Sequence, residues 1–256
     1  MKKHIPLILL LLLLTITGCT KKQAEIPPRL IAHAGGQLGG MDYTNCKEAL
    51  DNSYKEGLRY FEIDFSYTTD GQLICVHSYD GFMEKFFDAP RAPCSYEQWQ
   101  GFTMVNGWTK LELASVMDWL SAHKDAYLIT DVKGDNIEVQ RRIAEGWPQL
   151  QNRVIPQVYS IMEYFPVKEL GFENIILTLY REPMTDAEIV AFAAENPLFG
   201  VTMYYERAGN KELVEALAPT RTFAHTVNDE ALAAELIQGG FYGIYTDTIY
   251  DLHIEE

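Results

Sequence analysis

Basic residues are scarce in this chain of 256 residues. Lys and Arg number 21 against 36 Asp and Glu, a formal charge of −15. Such an acidic chain excludes backbone-driven binding of nucleic acid, which needs clustered Lys and Arg. Cysteine is scarce as well, with four residues and no CxxC or Cys/His spacing, so a zinc finger or ribbon is excluded. No Gly/Ser linker, charge block or short-period repeat divides the sequence, which argues against tandem domains and solenoids. The longest apolar stretch, Ile5 to Ile16, falls short of the roughly 20 residues that a spanning helix requires.

That stretch follows the basic Met1-Lys2-Lys3 and precedes Ile16-Thr17-Gly18-Cys19, which resembles the bacterial lipobox. Residues 1–18 therefore read as a lipoprotein signal peptide and Cys19 as the lipidated residue. Residues 19–28, with Lys21, Lys22, Pro27 and Pro28, read as a tether. An exported protein anchored by lipid to the bacterial cell envelope is expected, with an ordinary secretory signal or a short membrane anchor as the alternatives. Cys46, Cys75 and Cys94 would then remain, an odd number in an exported protein. One disulfide among them stays open, while Cys75 inside an apolar run reads as simply packed.

From Arg29 to Glu256, short apolar runs alternate with amphipathic stretches. The runs are Leu30 to His33, Tyr60 to Asp64, Leu73 to His77, Tyr127 to Lys133, Val154 to Val158, Ile175 to Leu179, Val201 to Tyr204, Thr222 to Val227 and Ile244 to Thr246. Helix candidates between them include Lys47 to Glu56, Glu112 to His123, Ile137 to Glu145, Asp186 to Glu195, Lys211 to Leu217 and Glu230 to Gln238. Caps are available at Thr44 or Asn45, Thr185, and Asn228 or Asp229. This β-α alternation predicts one α/β domain over 29–256, a (β/α)8 TIM-type barrel rather than an open doubly wound sheet. Nine runs exceed the eight a barrel needs. Thr69-Asp70-Gly71 joins the second and third like a tight turn, so one of those two is expected to pair antiparallel or lie partly outside. Residues 79–110, rich in Phe, Tyr and Trp, form an insertion after the third strand. They read as a lid or substrate wall over the mouth, or as a satellite core beside the barrel.

Polar residues end several of these runs, and a parallel barrel would gather them at its C-terminal rim. Alternation along a strand puts Glu62 and Asp64 on one face and Phe61, Ile63 and Phe65 on the other. Buried carboxylates that close need a proton or a cation. Asp131 supplies a third oxygen ligand, and this set fits Ca²⁺ or Mg²⁺ better than zinc. A cation would also reverse the local field for a phosphate-bearing substrate that the acidic chain otherwise repels. His33 and His77 end apolar runs on the same rim and suit the base and the acid that phosphodiester cleavage demands.

Taken together, Ile31-Ala32-His33-Ala34-Gly35, Thr44-Asn45, Phe61-Glu62-Ile63-Asp64, Thr69-Asp70-Gly71-Gln72-Leu73, Val76-His77 and Asp131-Val132-Lys133 resemble the glycerophosphodiester phosphodiesterase family. That family is related to the phosphatidylinositol-specific phospholipases C. His225-Thr226-Val227-Asn228 and Gly243-Ile244-Tyr245-Thr246-Asp247 resemble its closing strands. The resemblance implies a barrel, a divalent metal at Glu62, Asp64 and Asp131, and an acid–base pair at His33 and His77. It also implies substrate contacts at Lys133 and Asn45. The chain departs from the family where Ala34 replaces an arginine, Thr44 a glutamate and Asp131 a glutamate, and where Ala224-His225 replaces a closing tryptophan. Arg181 and His225 are candidates for the lost phosphate contact.

The expected activity is metal-dependent hydrolysis of a glycerophosphodiester or related phosphodiester outside the cytoplasm. The alternatives are a weakly catalytic lipoprotein that binds phosphodiesters or sugar phosphates, and an enzyme of the phospholipase C or D type on intact lipid. A small substrate and a membrane contact through lipid are expected, and nothing in the sequence calls for an obligate protein partner.

Overall fold

The computed structural model describes residues 29–181, 184–207 and 211–252; the signal peptide, Cys19 and the tether expected from sequence lie outside them. Among the described residues nine strands form: β1 Leu30–Ala32, β2 Tyr60–Tyr67, β3 Leu73–Ile74, β4 Tyr127–Val132, β5 Val154–Val158, β6 Ile176–Thr178, β7 Gly200–Tyr204, β8 Thr222–His225 and β9 Gly243–Thr246. Eight of them pair in parallel in the order β1-β9-β8-β7-β6-β5-β4-β2, and a β1–β2 pairing closes the ring. The ninth, β3, pairs antiparallel with the end of β2 through Ser66 opposite Ile74 and Tyr67 opposite Leu73. The surplus run is thus a hairpin arm outside the barrel, formed over the Thr69-Asp70-Gly71 turn, where Gly71 takes φ 81°.

The helices are α1 Lys47–Lys55, α2 Gly81–Phe87, α3 Tyr96–Gly101, α4 Leu113–Ala122, α5 Asn136–Gly146, α6 Ile161–Glu169, α7 Asp186–Glu195, α8 Lys211–Ala216 and α9 Glu230–Gln238. Thr185 caps α7 in a reciprocal box with Glu188, and Asp229 caps α9 by accepting from the Leu232 N–H. The cap expected for α1 at Thr44 or Asn45 is not used. Cys46 occupies the N-cap position without a side-chain capping bond, and the Asn45 amide is spent on Asp64. Among the described residues, no helix is long and apolar enough to cross a membrane.

Two apolar layers follow from strand alternation. Phe61, Ile63, Phe65, Leu128 and Val132 point outward into the shell shared with the helices. Ile31, Tyr60, Ile129, Ile155, Ile176, Phe223 and Tyr245 point inward and fill the barrel's floor. Gly200 belongs to this floor, since a Cβ there would sit 2.6 Å from the Phe223 ring. Packing the floor solid pushes the inward polar side chains of the same strands up to the mouth.

The insertion has its own core, in which Phe82, Met83, Phe86, Phe87 and Trp99 pack on Cys46, Ile74 and Val76. It is therefore a satellite core on the β3 side, and its Phe82–Phe86 edge also reaches His77. Cys46, Cys75 and Cys94 are buried and unpaired.

Candidate active site

All eight barrel strands end on a polar side chain at one mouth. His33 follows β1, Glu62 and Asp64 lie on β2, and Asp131 and Lys133 lie at the end of β4. Tyr159 follows β5, Tyr180 and Arg181 follow β6, Tyr204 ends β7, His225 ends β8 and Asp247 follows β9. The three carboxylates expected as metal ligands converge. Glu62, Asp64 and Asp131 are buried, and one oxygen from each lies within 4.8 Å of the others.

Each carboxylate is held by a different set of donors. Glu62 Oε2 accepts from the Ala34 N–H at 2.8 Å, while its Oε1 is buried and without a partner among the described residues. Asp64 Oδ2 accepts from the Asn45 amide at 2.9 Å, and the Asn45 carbonyl oxygen takes the Asp64 N–H at 3.0 Å. Asp131 accepts from the Tyr159 hydroxyl and, at 2.7 Å, from the Tyr180 hydroxyl. The Tyr159 oxygen in turn accepts from the Val132 N–H at 2.6 Å. Lys133 places its ammonium 3.0 Å from Asp64 and 2.7 Å from Asp131, bridging the second and third carboxylates.

The first loop builds this arrangement with unusual backbone. Ala34, Tyr43 and Asn45 have φ values of 47°, 63° and 47°, a region that non-glycine residues seldom occupy. At Ala34 the turn aims an N–H at Glu62. At Asn45 it turns the side chain into the barrel instead of onto α1. Gly36, at φ 99°, passes against the Ser53 hydroxyl, which donates to the Gly35 carbonyl at 2.8 Å.

His33 Nδ1 donates to Asp247 Oδ1 at 2.9 Å, and Asp247 is itself gripped by Asn228. Burial alone would lower the His33 pKa, but the bond to Asp247 and the charges of Glu62 and Asp64 raise it to about 9. Burial pushes the Glu62 carboxyl up to about 8, helped by the neighbouring Asp64. His77 goes the other way, its pKa lowered mainly by burial. His77 lies three residues beyond β3, because that strand ends at Ile74 rather than running to the histidine as its apolar run suggested. The Tyr43 ring stands between the two imidazoles, its centroid 4.4 Å from that of His33 and 5.1 Å from that of His77.

On the opposite side, His225 bonds Thr202 through Nδ1 at 2.8 Å, and its Nε2 is buried without a partner among the described residues. Burial lowers its pKa to about 4, and the cationic neighbours His33 and Lys133 add to the effect. The Arg181 guanidinium lies 3.9 Å over the Tyr159 ring and donates to the Val132 carbonyl.

The geometry thus brings His33, His77, Glu62, Asp64, Asp131, Lys133 and Asn45 to one mouth. From sequence, Asp247 stood out only as the end of a closing-strand segment, with no role, and Tyr43, Tyr159 and Tyr180 did not stand out at all. Asp247 carried a legible signal, an acidic residue directly after the last apolar run. The tyrosines carried none, since the chain has 15 of them.

No protein-family model matches the sequence, and no curated protein matches it. Solved structures do match. A glycerophosphodiester phosphodiesterase from Thermotoga maritima superposes with a TM-score of 0.66 at 16% identity, covering 86% of this chain and 94% of that one. One from Parabacteroides distasonis gives 0.66 at 20% identity, covering 86% and 92%. A phosphodiesterase from Oleispira antarctica, in complex with the product sn-glycerol-3-phosphate, gives 0.67 at 17% identity, covering 87% and 94%. At these identities the likeness is one of fold, and that fold is the closed (β/α)8 barrel.

Proposed function

We propose that this chain is a phosphoric diester hydrolase that uses a divalent cation to cleave a glycerophosphodiester or a related phosphodiester. The observation that carries the reading is the trio of buried carboxylates with Glu62 Oε1 unspent. Such a group is costly unless a cation or a proton compensates it. The donor set is all oxygen, which fits a hard cation, and one oxygen from each carboxylate lies within 4.8 Å of the others, close enough together to share a single ion. Glu62, Asp64 and Asp131 would hold the ion. When bound, it would polarise the phosphate and offset the charge that builds on the non-bridging oxygens.

The protein's own groups supply the rest. Asn45 orients Asp64, and the Tyr159 and Tyr180 hydroxyls orient Asp131. Lys133 adds a positive charge at the place where phosphate must sit. The two imidazoles share the proton work, one accepting from the nucleophile and the other donating to the departing oxygen. Asp247 holds the His33 ring by its Nδ1 proton, leaving Nε2 to face the reaction. Fold neighbours that are glycerophosphodiester phosphodiesterases, one of them holding sn-glycerol-3-phosphate, support the substrate class. The lipobox-like Ile16-Thr17-Gly18-Cys19 supports action outside the cytoplasm, from a lipid anchor on Cys19.

A panel of phosphodiesters assayed with Ca²⁺, Mg²⁺ and Mn²⁺ tests the proposal. Alcohol release that stops on chelation and returns with metal is the expected outcome. Turnover that survives chelation would reject the metal mechanism. A second reading, capture of phosphodiesters with little turnover, is favoured by Ala34, which is buried and offers only its backbone N–H where the resembled family has arginine. It expects thermal stabilisation by ligand with no product.

A further inference from the structure

Tyr43 divides the mouth. On its inner side are His33 and the carboxylates; on its outer side a cleft of about 260 Å³ runs beside His77 under the insertion. Ser78, Phe82, Lys85 and Phe86 complete that cleft. The two rings are buried and form an apolar floor, while Lys85 is exposed at the edge. Its ammonium sits 4.8 Å from the Phe86 ring centroid and donates to the Asp42 carbonyl at 3.3 Å. Neither Glu84, next to it in the chain, nor Asp42, whose carbonyl it touches, claims it with a carboxylate. Glu84 is paired with Arg91, and the Asp42 carboxylate accepts from Gln37. Lys85 is the only lysine, arginine or carboxylate among the described residues lining the cleft, in a chain with 15 more acidic than basic side chains.

In-line displacement at phosphorus sends the leaving oxygen away from the side on which the attacking oxygen arrives. With His77 as the acid that protonates the leaving oxygen, the departing arm lies on the His77 side of the metal pocket, where this cleft runs. We propose that the cleft is the subsite for that arm, and that it selects an arm bearing a further negative charge, such as a second phosphate. This rests on the hydrolytic reading above. Phe82 and Phe86 pack the arm's carbon skeleton, Ser78 offers it a hydroxyl, and Lys85 meets the terminal anion. A quaternary ammonium arm would place like charges together at the same point.

The test uses three glycerophosphodiesters that differ only in the second arm: glycerol phosphate, glycerol and choline. Each is assayed with the wild-type protein and with Lys85→Ala and Lys85→Glu. An exposed charge pair is worth about two- to five-fold in kcat/KM. The glycerol phosphate arm is expected to be preferred by that factor over glycerol, with choline last. Lys85→Ala is expected to remove the preference and Lys85→Glu to reverse it, both with an unchanged thermal midpoint. Rising salt should weaken the preference in the wild type. Equal kcat/KM for the three arms, or an unchanged order in Lys85→Glu, would overturn the subsite and leave hydrolysis standing. Failure to cleave any of the three with Ca²⁺, Mg²⁺ or Mn²⁺ would overturn the hydrolytic reading itself.

Discussion

The two sides of the barrel mouth are built from different chemistry. On the β1, β2 and β4 side stand acids and bases: His33, Glu62, Asp64, Asp131 and Lys133. On the β5 to β8 side stand mostly rings and hydroxyls, Tyr159, Tyr180, Tyr204 and His225, with Arg181 laid over the Tyr159 ring. The second side touches the first at Asp131, which it holds with two phenol hydroxyls. Asp131 stands where the resembled family carries a glutamate, and a side chain one methylene shorter has less reach. Its fixed position therefore depends on the tyrosines across the barrel. The charged side is equipped for chemistry, and the neutral side sets its geometry.

The sharpest break in that comparison is expected at His77. Removing it as His77→Ala should lower kcat by about 10²–10⁴-fold, the usual worth of a positioned acid or base. Little change in thermal midpoint is expected, because the ring is half-buried and outside the strands. Equal turnover in the variant would remove the imidazole pair from the mechanism. A smaller effect is expected across the mouth. Tyr159→Phe keeps the ring and loses the bond to Asp131, which should weaken divalent-cation binding by about 10–100-fold in a calorimetric titration. Unchanged affinity would make the neutral side a mere wall.

At His225 a small effect is expected, because two changes oppose each other. Its Nε2 is a buried polar atom without a partner among the described residues, while its Nδ1 bonds the buried Thr202 hydroxyl. His225→Phe removes both, so stability should stay within about 1 kcal/mol of wild type, as read from denaturant unfolding. A large fall in kcat/KM there, with the fold intact, would instead place His225 on the substrate.

The subtlest test is the pH dependence of stability without metal. The folded pKa of His33, about 9, lies above its ordinary 6.5, so its stabilisation is full below 6.5 and fades as pH rises through 9. Glu62, raised to about 8 from 4.5, keeps a proton that the unfolded chain gives up, so its contribution fades between pH 4.5 and about 8. The thermal midpoint should begin to drop above pH 4.5 and fall further from 6.5 to 9, and Ca²⁺ should flatten the drop by replacing the protons at the carboxylates. A midpoint that is flat without metal would contradict the burial of these charges.

The same contrast explains what was legible in the sequence. Glu62 and Asp64 could be read because alternation on a strand fixes which side chains share a face, and Phe61, Ile63 and Phe65 mark the other face. The turn at Thr69-Asp70-Gly71 disclosed the hairpin that leaves β3 outside the ring. His77 was found by residue type, although its place three residues past a two-residue strand was not. The role of Asn45 on Asp64, rather than as a helix cap, depends on a left-handed backbone that no local pattern announces. Tyr159 and Tyr180 are silent in sequence because their function is a long-range contact, 28 and 49 residues from Asp131. Partners that close only when the barrel closes leave no local trace.

The proposed hydrolysis depends on Glu62, Asp64 and Asp131 jointly holding one divalent cation. Calorimetric titration of Ca²⁺ into the wild-type protein and into Glu62→Gln decides this. One site is expected in the wild type, lost or greatly weakened in the variant, with phosphodiesterase activity falling in parallel. Equal binding by the two proteins, or none by the wild type under conditions where it hydrolyses a phosphodiester, would contradict it.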